Sequence, residues 1–133
     1  MSFDLVFEET YPHPVEVVWA ALTDARALSA WLNEMVGFEP RVGCRFQMRC
    51  RTDEGAIDIY HCEILELEAP HRMLWSWLLE QAGDPPPTRV EFRVQAVAGG
   101  TRLVIRHGGD RPDEVAARFR EGWPSNHWKA VRC

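Results

Sequence analysis

The hydrophobic pattern of the chain changes from a period of two to a period of 3.6 and back again. Residues 3–11 alternate, which predicts a strand at the edge of a sheet. Apolar residues then follow at helical spacing, and Asp24 is placed to cap a second helix. The predicted stripes of these two short helices are Val15, Val18, Trp19 and Leu22, and then Leu28, Trp31 and Leu32.

After the helices the pattern returns to strands. Gly37 and Gly43 bracket a short extended piece, and Thr52–Gly55 and Gly99–Gly100 are typical hairpin turns. The alternating or apolar segments are 45–51, 57–67, 73–79, 89–94 and 103–107. A break in alternation near Glu63–Leu65 predicts a β-bulge.

A final helix is predicted from Pro112 onward, because acidic residues follow it and apolar ones recur four apart. Pro124 should kink or restart this helix. Its predicted stripe is Val115, Phe119, Trp123 and His127. Strand, two helices, meander and closing helix together predict an α+β fold, in which a curved antiparallel sheet wraps around the C-terminal helix.

Composition narrows the class of protein. The 133 residues, 46% hydrophobic and 26% charged, are typical of one soluble globular domain over 1–133. The net charge of -5 argues against nucleic-acid and anionic-membrane partners, which need a basic face. Arg41, Arg45, Arg49 and Arg51 cluster in the sequence, and alternation predicts that they form the solvent-exposed face of one strand.

Cofactor and metal chemistry have no support in the sequence. The four cysteines show no Cys-x-x-Cys spacing and no histidine pair has metal-finger spacing, so no metal and no cofactor is predicted. The segment Met1–Asp4 lacks the charge of a signal peptide, and no apolar run approaches a membrane span. We therefore expect a cytoplasmic protein with reduced thiols.

Several motifs resemble a known family. In chain order they are 14–24, Trp31–Leu32, 39–46, 66–77, 100–107 and 122–124. They are similar to those of the heat-shock-protein-90 ATPase activator homologues, within the START-like (SRPBCC, Bet v-like) helix-grip superfamily. The resemblance implies the helix-grip fold and a cavity beneath the last helix. Two departures from the family pattern are Cys44 after Gly43 and the polar end from Ser125 to Cys133.

Aromatic residues are the main candidates for a ligand site. Large flat side chains on a concave sheet suit an apolar or aromatic ligand, although they fill an ordinary core equally well. The predicted lining residues are Trp31, Phe46, Met48, Tyr60, Cys62, Trp75, Trp77, Phe92, His107, Phe119 and Trp123.

Two of these residues carry alternative interpretations. His107 shares a strand face with Leu103 and Ile105, so it is either a polar anchor or acid–base group, or a histidine hydrogen-bonded at a strand end. Cys62 is read as a small core residue, since a nucleophile needs a lowered pKa. No catalytic residue is assigned.

Three functions are compatible with this pattern. The first is non-catalytic binding of a small hydrophobic molecule in the cavity between the sheet and the last helix. The second is a protein-interaction module or homodimer that uses an exposed outer sheet face at Leu74, Leu78 and Val104. The third is a cofactor-free hydrolase, cyclase or dehydratase with His107 and Tyr60 as acid and base.

Overall fold

A single antiparallel sheet dominates the computed structural model, which describes residues 2–51, 55–80 and 86–110. Within these residues the strands are β1 (Ser2–Tyr11), β2 (Glu34–Val36), β3 (Arg45–Arg51), β4 (Ile57–Glu68), β5 (Arg72–Leu79), β6 (Thr88–Val97) and β7 (Gly100–Asp110). The helices are α1 (Val15–Thr23) and α2 (Ala25–Trp31). The sheet order is β1-β7-β6-β5-β4-β3-β2, so β2 to β7 form a meander and β1 closes it beside β7.

The two helices form where the periodicity predicts them. Val18 and Leu22 of α1 are buried, as are Leu28 of α2 and Leu32 directly after it. The backbone N–H of Ala27 donates to Oδ2 of Asp24 at 2.9 Å, which confirms the predicted N-cap of α2. Both helices thereby turn their apolar stripes toward the sheet and belong to its core.

The β-bulge in β4 is confirmed at Leu65. Ile64 pairs with Trp75 of β5, but the next pair is Glu66 with Leu74, so Leu65 is the extra residue. The bulge restores the alternation, and Leu67 again packs against the core while Glu66 is exposed.

The inner face of the sheet is the face that packs against the helices. It carries almost all the buried side chains of the strands, among them Leu5, Phe46, Met48, Cys50, Tyr60, Cys62, Ile64, Met73, Trp75, Trp77, Thr88, Val90, Phe92, Val94, Leu103, Ile105 and His107. The core of the protein therefore lies on one side of the sheet.

The outer face is polar and carries several ion pairs. Arg72 donates to Glu66 at 2.6 Å and to Glu91 at 2.6 Å, and Arg106 donates to Asp4 at 2.9 Å. A groove of about 520 Å³ crosses this face near β2 to β5, with Arg45 and Leu78 among its lining residues.

Three expectations need correction. Leu74 lies on the outer face but is only 8% exposed, because it sits in register between Glu66 and Glu91 of the ion-pair network. The extended piece is β2, which ends before Gly37 rather than lying between Gly37 and Gly43. Cys50 is disulfide-bonded, so the expectation of reduced thiols is wrong for that residue.

The predicted final helix lies outside the described residues, together with Phe119 and Trp123.

Candidate ligand-binding site

The predicted lining residues converge on the inner face of the sheet. All those with described side chains are buried, namely Phe46, Met48, Tyr60, Cys62, Trp75, Trp77, Phe92 and His107. Trp31 ends α2, and its side chain lies outside the described part of the chain. Alternation along each strand thus places these residues on the inner face of the sheet, as the sequence predicts.

The aromatic residues divide into two groups of ring contacts. The first, which we call the core cluster, consists of Phe38, Phe46, Trp75 and Phe92. The Trp75 ring centroid lies 4.7 Å from that of Phe92 and 5.0 Å from that of Phe46. Edge and tilted contacts at these distances are the favoured aromatic geometries, so this cluster is well packed.

The second group, which we call the polar cluster, consists of Tyr60, Trp77, His107 and Phe3. The Trp77 ring lies 5.3 Å from Tyr60 and 5.3 Å from His107, and the Phe3 ring meets His107 edge-on at 5.5 Å. Tyr60 carries a hydroxyl, Trp77 carries an indole N–H, and His107 carries an imidazole. This cluster therefore combines flat apolar surface with hydrogen-bonding groups.

Strand register explains how the polar cluster is assembled. Trp77 on β5 pairs with Cys62 on one side and with Thr88 on the other, and His107 on β7 pairs with Val90. The cluster therefore spans β4 to β7 and the start of β1. None of these cross-strand neighbours is close in sequence, so only the sheet brings them together.

His107 is fully buried, whereas His13, His61 and His71 are exposed. Its Nε2 lies 2.9 Å from the hydroxyl oxygen of Thr88. Thr88 is therefore a functional candidate that the sequence did not reveal, because a threonine at the start of a strand carries no distinctive signal. The expected hydrogen bond of His107 is present, but His107 lies within β7 rather than at its end, because the strand continues to Asp110.

The free thiols of the described residues, Cys44 and Cys62, are buried, and their surroundings favour packing over reactivity. Burial raises the pKa of the Cys62 thiol, which disfavours the nucleophilic thiolate. Cys44 accepts from the backbone N–H of Glu39 at 3.3 Å and donates to the carbonyl of Gly37 at 3.3 Å. Both therefore behave as structural residues.

Tyr60 and His107 are poorly arranged as an acid–base pair. They lie on β4 and β7, with two strands between them, and adjacent strands are about 4.8 Å apart. The indole of Trp77 contacts both rings. An acid–base reaction that used both residues would require a reacting group that reaches both sides of this indole.

Two further features were sought in the described residues. Within 2–51, 55–80 and 86–110, no group of three or more His, Cys, Asp or Glu residues is arranged to hold a metal ion. No helix in the same part of the chain is long and apolar enough to cross a membrane.

Comparison with known proteins places this architecture in a family. A protein from Mesorhizobium loti, MLL2253, is 29% identical over 97% of this chain and 96% of its own, with a TM-score of 0.81. A protein from Rhodobacter sphaeroides is 25% identical over 96% of this chain and 86% of its own, with a TM-score of 0.76. The AHSA1 protein from Silicibacter pomeroyi, 21% identical over 97% and 95%, shares the fold with a TM-score of 0.83.

No functionally curated protein matches the chain. The sequence signature of the family described as Activator of Hsp90 ATPase homolog 1-like protein matches residues 12–129. These similarities confirm the predicted α+β helix-grip fold, with its antiparallel sheet and two short helices after the first strand. The chain belongs to the Activator of Hsp90 ATPase homolog 1-like family.

Proposed function

We propose that this protein binds a small hydrophobic, aromatic ligand without transforming it, against the polar cluster on the inner face of the sheet. The ligand would occupy the space between the sheet and the predicted final helix. Trp77 would provide the flat surface, and His107 and Tyr60 would provide the polar anchors.

The observation that carries this proposal is the chemistry of the polar cluster. Tyr60, Trp77 and His107 are each at most 4% exposed. Tyr60 carries a hydroxyl, Trp77 an indole N–H and His107 an imidazole, and these are groups that hydrogen-bond when they are buried. The core cluster contains one such group, the indole of Trp75, whereas the polar cluster contains three.

The combination of groups defines the ligand class. Indole and phenyl rings at 5.3–5.5 Å from the imidazole favour stacking or edge contacts with a flat ring system. A few polar groups within an apolar surface fix the orientation of a ligand, as in most small-molecule sites. The described residues of the cluster carry no acidic or basic group other than His107, which favours an uncharged ligand.

Isothermal titration with a panel of uncharged bicyclic aromatic compounds tests the proposal. At least one compound should bind the wild type, and Trp77→Ala should weaken that binding about tenfold or more, since one base-sized aromatic contact contributes about 1–3 kcal/mol. Circular dichroism should show that Trp77→Ala remains folded at the titration temperature.

Leu78→Ala is the matched control. Leu78 follows Trp77 on β5 but lines the groove on the outer face. Equal binding by this variant supports the inner site. Loss of binding in Leu78→Ala with retention in Trp77→Ala would contradict the proposal and place the ligand in the outer groove.

The interaction-module hypothesis has less support. Leu74 is buried, Leu78 and Val104 are half-buried, and the ion pairs of Arg72 cover the middle of the outer face. Among the described residues, these ion pairs interrupt the apolar surface that an interface of this kind would need.

A further inference from the structure

Another groove lies on the outer face of the sheet, where β1, β7, β6 and β5 run side by side. Its volume is about 360 Å³, which is within the usual range of small-molecule sites. It is separated from the polar cluster by the sheet itself, because the polar cluster lies on the inner face. The charged lining residues are Asp4, Arg89, Glu91 and Arg106, and the apolar ones include Leu74 and Pro87.

Both carboxylates of this groove are already paired. Asp4 accepts hydrogen bonds from Nε of Arg106 at 3.0 Å and from its Nη2 at 2.9 Å. Glu91 accepts from Nε of Arg72 at 2.6 Å. Among the residues that the structure describes, the guanidinium of Arg89 has neither an ion pair nor a hydrogen bond. Arg89 is therefore a cation of the groove whose charge is not balanced by a direct partner.

Strand register explains why Arg89 is unpaired. It lies opposite Ser76 on β5 and Gly108 on β7, so neither directly opposite neighbour carries a charge. Beyond Ser76 the same row continues to Glu63 on β4, whose carboxylate lies 3.4 Å from Nε of Arg45. Since Gly108 has no side chain, the space beside Arg89 stays open. The guanidinium is thus exposed at the wall of the groove.

We infer that this groove binds a small organic carboxylate with an apolar body, and that Arg89 recognises its charge. The N–H groups of a guanidinium form a rigid planar fork that matches the two oxygens of a carboxylate. One unpaired cation favours a monoanion over a phosphate dianion. The exposed ring of Pro87 and the edge of Leu74 provide apolar surface for the rest of the ligand. The inference goes beyond the proposed function, because it concerns a different site and a charged ligand.

Titration of ¹⁵N-labelled protein with cyclohexanecarboxylate near pH 7, followed by chemical shifts, tests this inference. Saturable shifts are expected at the Nε–H of Arg89 and at the backbone amides of Gly108 and Gly109. Cyclohexanecarboxamide has the same shape without the charge, and acetate has the charge without the ring. Each should bind about three- to tenfold more weakly, because each lacks one of the two interactions that the groove offers.

Arg89→Gln is the test variant and Arg49→Gln is its matched control. Arg49 is exposed on the outer face of β3 and does not line this groove, so its replacement removes the same charge elsewhere. Arg89→Gln should weaken binding of cyclohexanecarboxylate about three- to tenfold and reduce its preference over the carboxamide to about twofold or less. Arg49→Gln should bind as the wild type does. Both positions are exposed, so thermal unfolding should stay close to that of the wild type.

Three results would overturn the role of Arg89 or the class of ligand. The first is an unchanged preference for the carboxylate in Arg89→Gln. The second is an equal loss of binding in Arg89→Gln and Arg49→Gln, which would indicate a general effect of net charge. The third is tighter binding of inorganic phosphate than of cyclohexanecarboxylate by the wild type.

The two proposed sites are tested independently. Trp77→Ala should bind cyclohexanecarboxylate as the wild type does, and Arg89→Gln should bind the uncharged aromatic panel as the wild type does. Absence of saturable shifts with cyclohexanecarboxylate in the wild type would overturn this inference and leave the proposed function standing. Failure of the aromatic panel to bind, with carboxylate binding retained, would overturn the proposed function and support this site.

Discussion

Truncation of Phe92 should remove a large part of the stability of the fold. Phe92 lies on β6, is fully buried, and its ring centroid lies 4.7 Å from that of Trp75 in the core cluster. Replacing a buried phenylalanine with alanine costs about 3–5 kcal/mol, which is the lost transfer free energy plus the cavity left behind. We expect a value within this range for Phe92→Ala, because a cavity flanked by strands of a continuous sheet cannot collapse easily.

This loss is large relative to the total stability of about 5–15 kcal/mol that is usual for a domain. Urea unfolding followed by far-UV circular dichroism measures it as a lower midpoint at a constant slope. Val6→Ala is the control, since Val6 is 51% exposed on the edge strand β1 and should change the free energy of unfolding by less than about 0.5 kcal/mol. A loss below about 1 kcal/mol for Phe92→Ala would refute the view that the core cluster is a packed structural core.

Three further perturbations test other parts of the structure. Gly100→Ala should lower the free energy of unfolding by about 2 kcal/mol or more, because its Cβ would overlap the carbonyl oxygen of Tyr11 and the backbone must move; unchanged thermal unfolding would contradict that close approach. Burial alone would raise the pKa of Glu91, but hydrogen bonds from Arg93 and Arg72 outweigh it and hold the pKa below its usual value. The stability that Glu91 contributes is therefore present above about pH 4.5 and is lost as the pH falls through the lowered pKa, and Arg72→Met should flatten this part of the curve of unfolding free energy against pH; an identical curve for the variant would count against the network. Burial raises the pKa of the Cys62 thiol, so in Cys44→Ala protein Cys62 should resist iodoacetamide at pH 8 until urea unfolds the chain, and rapid alkylation of the native protein would be inconsistent with its burial.

Local patterns were sufficient to predict most of the strands. Alternation places Phe46 and Met48 on one face of β3, and the interruption near Leu65 predicts the bulge. These features depend only on neighbours along the chain. For the same reason, the cap at Asp24 could be identified from a short stretch of sequence.

The exposure of Leu74 could not be predicted from the same pattern. Alternation assigns it to the outer face, where it does lie. Its burial depends on Glu66 and Glu91, which flank it in the sheet and are held by Arg72. Long charged side chains shield apolar surface with their alkyl stems, and this shielding cannot be predicted from strand periodicity.

The candidate site shows the same limit. The sequence predicts that Trp77 and His107 face inward, but not that their rings are in contact. Thr88 becomes relevant only because β6 lies between β5 and β7. Contacts between strands that are distant in sequence require the pairing register, which one sequence does not specify.

Native mass spectrometry of freshly purified protein tests the binding function most directly. We predict a discrete adduct of small mass on the wild type and on Leu78→Ala, which is absent from Trp77→Ala and is released when the protein is denatured. A bare protein peak for the wild type that persists after incubation with the aromatic panel would contradict a ligand-binding role for the inner face of the sheet.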